Sequence, residues 1–185
     1  PCFESPTFLR IPDTQVEALK IELCEHGLEA NRWFCVLNYR DPGYLHRPSR
    51  ELRDLNPKPF MALVEYIVET LGGQVVRVGH PQMTPFSKNR NVFDLAMLED
   101  RFMLHAIAFS RARFMAGSMT GISHLGSAMD TRTAITNCSD PLYFPGVWRD
   151  QDVVLHKYLY DAGGRRISTM EQHEPGLLHR KQLSI

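Results

Sequence analysis

The grouping Asn38-Tyr39-Arg40-Asp41, directly after the apolar run Trp33-Phe34-Cys35-Val36-Leu37, is the first in the chain with the chemistry to hold an anion. A guanidinium presents a planar fork of donors that matches two phosphate oxygens at once, which a lysine ammonium cannot do. An Arg40-Asp41 surface pair closing a turn is equally compatible with the spacing. The second grouping is Gly117-Ser118-Met119-Thr120-Gly121. Glycines let backbone approach a ligand, and open amides at a helix start, with the Ser118 and Thr120 hydroxyls beside them, suit phosphate. The run matches neither GxGxxG nor the Walker pattern, and by itself it reads better as a cap with a tight turn.

Arg77, inside Val75-Val76-Arg77-Val78-Gly79, is a charge in an apolar strand pattern. It needs a partner or a ligand if buried, or else faces water at a sheet edge. His80, His105, His124 and His156 lack metal-ligand spacing, so no metal is expected. No Ser-His-Asp order or nucleophile elbow is present. Asp41, Asp94 and Glu171 are general-base candidates by residue type only, and no catalytic residue is assigned.

The elements that must carry these groups alternate along the chain. Asp13 caps a helix to about Gly27, with Val16, Leu19, Ile21, Leu23 and Cys24 as its apolar stripe. Residues 33–37 read as a buried parallel strand, and Pro59 to Leu71 as a helix closed by Gly72-Gly73. A strand follows at Gln74–Val78, then a third strand or short turn at Val92–Ala96 and a helix from about Glu99 to Ser110. A strand at Arg113–Ala116 runs into the Gly117–Gly121 turn, a small-residue helix over Ile122–Met129 and a strand at Arg132–Thr136. Val153–Tyr160 is an apolar helix or strand before the Gly163-Gly164 turn. Strands alternating with helices predict an α/β doubly wound parallel sheet of Rossmann type, whose ligands bind at the carboxyl ends of the strands.

With 43% hydrophobic residues over 185, the chain is expected to form one α/β domain over 1–185, with a helical lead-in at 1–32 and a polar, basic tail at 174–185. Lys plus Arg and Asp plus Glu both number 21, so nothing in the overall charge favours nucleic acid or acidic membrane, and an anion site has to be local. Cys2, Cys24, Cys35 and Cys138 lack CxxC spacing and read as reduced, structural thiols, which favours a cytoplasmic setting. No apolar run reaches the roughly 20 residues of a membrane span. The start at Pro1, without Met, reads as a fragment or trimmed chain.

Together these segments resemble a family of bacterial glycosyltransferases, similar in pattern to fucosyltransferases with a His-x-Arg loop. The likeness runs from about Val36 to Glu171, on Tyr39-Arg40-Asp41-Pro42-Gly43-Tyr44, Arg53-Asp54, Gly73-Gln74-Val75-Val76-Arg77-Val78-Gly79, Arg113 to Gly121, Thr136-Asn137, Lys157 and Glu171. It implies the C-terminal, donor-binding half of a GT-B enzyme. The donor is a nucleoside diphosphate sugar, with no other cofactor, transferred to an unknown acceptor. Arg40 with Asp41 would contact the diphosphate, Gly117, Ser118, Thr120 and Gly121 would cradle phosphate, and Arg77 would lie near the nucleotide. Lys157 would add a positive contact, and Glu171 closes the pattern. An acceptor-binding domain would lie outside this chain. Asn38, His105 and Met119 depart from the family pattern, which keeps open a catalytically silent nucleotide-binding or partner-scaffolding domain of the same fold. An NAD-dependent oxidoreductase would share the sheet but needs the absent GxGxxG.

Overall fold

A computed structural model of the chain describes residues 8–41, 54–85, 91–98, 102–138 and 149–172. Pro42-Gly43-Tyr44, Arg53, Cys2 and the tail at 174–185 lie outside the described residues.

Among the described residues, six strands form one sheet: β1 (Phe34–Asn38), β2 (Gln74–Arg77), β3 (Val92–Asp94), β4 (Met115–Ser118), β5 (Thr133–Cys138) and β6 (Val153–His156). Their order is β3-β2-β1-β4-β5-β6, and every pairing is parallel. Since β2 and β4 lie on opposite sides of β1, the chain reverses its direction of winding there. A crevice opens at the carboxyl ends of β1 and β4, which is where such sheets bind ligands. The expected doubly wound α/β architecture is therefore the one observed.

The helices are α1 (Asp13–Glu25), α2 (Lys58–Glu65, prolonged by a wider π turn over Tyr66–Thr70), α3 (Phe102–Arg111), α4 (Ser123–Ala128) and α5 (Thr169–Gln172). Strand alternation splits the core in two. Phe34 and Val36 pack with Val16, Leu104, Ile107, Phe109 and Met115 under α1 and α3, whereas Cys35 and Leu37 pack with Phe60, Val64 and Ile67 under α2. β1 is buried along its whole length, which explains why its sequence is continuously apolar up to Asn38.

Some expectations shift. Ile21 is 61% exposed, so the stripe of α1 rests on Val16 and Leu23. The third strand stops at Asp94, and Leu95–Met97 form a single tight turn. β4 begins and ends two residues later than the pattern suggests, because Gly117 is a strand residue paired with Asn38. A Cβ at Gly117 would overlap the Asn38 carbonyl oxygen, so only glycine lets β1 and β4 lie this close. Residues 153–156 form an edge strand with Val153 and Leu155 exposed. Cys24, Cys35 and Cys138 are free thiols, and burial pushes that of Cys35 up to about 12, where it is inert. Among the described residues, no helix is long and apolar enough to cross a membrane.

Candidate functional site

The crevice between β1 and β4 is a cleft of about 240 Å³. Its walls are Asn38, Tyr39 and Arg40 after β1, Gly79, His80 and Met83 after β2, and Thr120, Gly121 and Ile122 after β4. Both groupings singled out from the sequence thus meet at one opening.

Two hydrogen bonds fasten them together. The Arg40 backbone N–H donates to Ser118 Oγ at 3.1 Å, and Asn38 Nδ2 donates to Thr120 Oγ1 at 2.6 Å. Ser118 is 1% exposed, so its hydroxyl serves as a clasp between the loops rather than as a ligand contact. Gly121 offers open space at the cleft wall, with nothing within 4 Å of where a Cβ would stand. The Ser123 hydroxyl donates to the Thr120 carbonyl at 2.6 Å and accepts the Thr120 N–H at 3.3 Å, fixing the turn into α4. Since α4 has only six residues, its dipole is small and the loop matters more than the helix.

The Arg40 side chain leans on Asp54: Nε donates to Oδ1 at 3.0 Å, and the two side chains are 11% and 6% exposed. Asp54 is held in place from behind, because the Leu55 N–H donates to the Arg40 carbonyl. Asp41 is buried, and its Oδ2 accepts the Thr84 N–H at 2.8 Å. That bond ties the loop carrying Gly79, His80 and Met83 against the β1 loop, so Asp41 shapes the cleft without lining it.

Arg77 is wholly buried, which overturns the reading of it as a water-facing edge residue. Its Nη1 donates to Asp94 Oδ2 at 2.8 Å, and its guanidinium lies 5.0 Å from the centre of the Tyr39 ring, itself stacked on Phe60. It braces the underside of the β1 loop and is not a wall of the cleft. Asp94 is accordingly engaged with Arg77. Glu171 forms a capping box with Ser168: its Oε2 accepts the Ser168 N–H at 2.8 Å while Ser168 Oγ accepts the Glu171 N–H at 3.2 Å. The bonds from Ser168 hold this carboxylate below the usual range, helped by Arg165, which pairs with it. None of the three general-base candidates stands on the cleft wall.

The departures from the family pattern also resolve into structure. Met119 is buried in the core against Cys138, and His105 is buried with Nε2 3.3 Å from the Leu95 carbonyl, so both are packing residues. Asn38 lines the cleft with the rest of its grouping, and so does His80, which the sequence showed only as a histidine without metal-ligand spacing. The signal for His80 was the Gly79-His80-Pro81 turn after a strand, the same kind of position as Arg40. Among the described residues, no group of three or more metal-ligating side chains gathers anywhere.

Comparison with solved structures finds the same fold in two glycosyltransferases. The Escherichia coli ADP-heptose LPS heptosyltransferase II superposes with a TM-score of 0.64 at 12% identity, over 84% of this chain and 46% of that one. A family 9 glycosyl transferase from Veillonella parvula gives 0.59 at 16% identity, over 97% of this chain and 48% of that one. The chain shares with both a Rossmann-like α/β fold of parallel strands. It spans about half the length of these neighbours. No family model matches the sequence, and no curated protein does.

Proposed function

We propose that the chain is the donor-binding domain of a GT-B-type glycosyltransferase, holding a nucleoside diphosphate sugar in the cleft between β1 and β4. The observation that carries this reading is the Arg40 N–H to Ser118 hydrogen bond, because it joins an arginine loop and a glycine-flanked turn at the point where the winding reverses. Breaking a glycosidic bond to a nucleoside diphosphate builds negative charge on the leaving phosphate, and fixed cations and dipoles stabilise it. Arg40 supplies the cation, and the backbone from Thr120 to Gly121 supplies close approach.

The cleft is smaller than the roughly 300–1,000 Å³ of a complete small-molecule site. Among the described residues, its lining also includes no carboxylate. Both features favour a domain that grips the donor while the acceptor, and the base that activates it, come from a facing domain. The same two features support the second reading, nucleotide binding without turnover by this chain.

Calorimetric titration with a panel of nucleoside diphosphates tests the proposal. One of them should bind, and Arg40→Ala should weaken it by about 1.5–3 kcal/mol, the range for hydrogen bonds to charged groups. Failure of the whole panel to bind would remove the donor-site reading, and sugar-nucleotide turnover by this chain alone would remove the silent one.

A further inference from the structure

Among the described residues the sheet ends at β6, which has β5 on one side and an open edge on the other. Just past β6 stands Lys157, whose buried Nζ has no hydrogen-bond partner and is no part of the cleft wall. Its backbone N–H donates inward to the Cys138 carbonyl at 3.1 Å. Backbone groups alternate along a strand, so those of Val153 and Leu155 also face β5, while those of Val154 and His156 turn to the open edge. Side chains alternate too. Val154 packs against the core shared by α1 and α3, whereas Val153 and Leu155 are 52% and 59% exposed. Edge strands are ordinarily guarded by lysine, proline or a bulge. The β6 sequence Val153-Val154-Leu155-His156 has no lysine, proline or carboxylate, and the register shift beside it lies in β5. The two ends of this edge differ in charge. Asp150 is exposed in the turn before β6, and beyond β6 an exposed Arg166 lies over the Tyr158 ring at 3.6 Å.

We propose that this edge pairs with the same edge of a second copy of the chain, antiparallel about Val154, so that one sheet runs through both. In that register each Val154 exchanges two hydrogen bonds with its counterpart, and Val153 of each copy meets the partner's Leu155 on one face. Asp150 then stands opposite the partner's Tyr158, beside the guanidinium that covers that ring. The zero net charge of the chain sets no long-range repulsion against the pairing. Because β6 lies two strands from β4, both clefts stay open. A four-residue edge buries little surface, so the dimer forms and dissociates with concentration.

Sedimentation of the chain over a concentration series, with hydrogen exchange at the same concentrations, tests this. The parent should pass from monomer to dimer, and the Val154 and His156 amides should exchange more slowly as it does. Val153→Lys together with Leu155→Lys sets like charges across the seam and should weaken association by about ten- to a hundredfold. Val153→Lys together with Leu155→Glu, which in this register sets opposite charges across it, should restore association. Both positions are more than half exposed, so these variants should melt like the parent. A parent chain that sediments as a monomer throughout overturns the proposal, as does a dimer that the double-lysine variant leaves at parent strength. Slow exchange of the two amides in the monomer would mean that another part of the chain covers the edge, and that result overturns it as well.

Discussion

Arg40, two residues past β1, and Ser118, the last residue of β4, stand 78 positions apart in sequence, yet the backbone N–H of one donates to the hydroxyl of the other at 3.1 Å. The bond fixes how far apart the two loops stand at the crevice. Ser118→Ala leaves a buried N–H unsatisfied at that point, and the cost should be about 1–3 kcal/mol in chemical denaturation. Ser118→Cys, which retains a weaker acceptor, should cost less. Equal stability of the alanine variant and the parent chain would show that the clasp contributes nothing.

Gly117 and Gly121 sit four residues apart and predict opposite results. A methyl at Gly117 meets the Asn38 backbone, so Gly117→Ala should destabilise by several kcal/mol, in the range of overpacked or strained sites. At Gly121 there is open space, so Gly121→Ala should fold normally while narrowing the cleft that it lines. Melting curves separate the first effect and nucleotide titration the second.

Arg40 and Asp54 form an ion pair with both side chains almost out of water. Removing either partner takes a hydrogen-bonded counter-charge from the other, so each alanine variant should lose about 1.5–3 kcal/mol. The double variant should lose clearly less than the sum, by about 0.5–3 kcal/mol of coupling. Strict additivity in urea unfolding would mean that the pair is not energetically linked.

His105 gives the fold a pH dependence. Burial lowers its affinity for a proton below the ordinary 6.5, while the hydrogen bond to the Leu95 carbonyl pulls the other way with less effect. The unfolded chain therefore binds more protons than the folded one just below 6.5, and stability falls as pH drops through that window. Above it the contribution is complete. His105→Gln should flatten the slope of the urea midpoint between mildly acidic and neutral pH, and an unchanged slope would assign the acid sensitivity elsewhere.

The anchors of the resemblance sorted differently once placed in space. Gly117 and Arg40 were legible because their spacing after apolar runs reports a backbone requirement, a close strand contact in one case and a loop leaving a buried strand in the other. Arg77 was legible only as a charge in the wrong place, since its partner Asp94 lies on a neighbouring strand and nothing local announces the pairing. His80 entered the cleft by way of the Asp41 bond to Thr84, a tether across 43 positions. Met119, which looked like a lost hydroxyl, points into the core because the alternate residue, Ser118, holds the Arg40 loop.

Local pattern settled the alternation of strands and helices, the helix stops at Gly27 and Gly72, and the glycine-flanked turn, because periodicity and backbone freedom are properties of neighbouring residues. Which charges pair, which hydroxyl clasps a loop and which lysine stays without an acceptor were decided only by tertiary structure. The fold brings together residues from 14 to 82 positions apart, and the electrostatic cost of burial depends on those neighbours rather than on adjacent sequence.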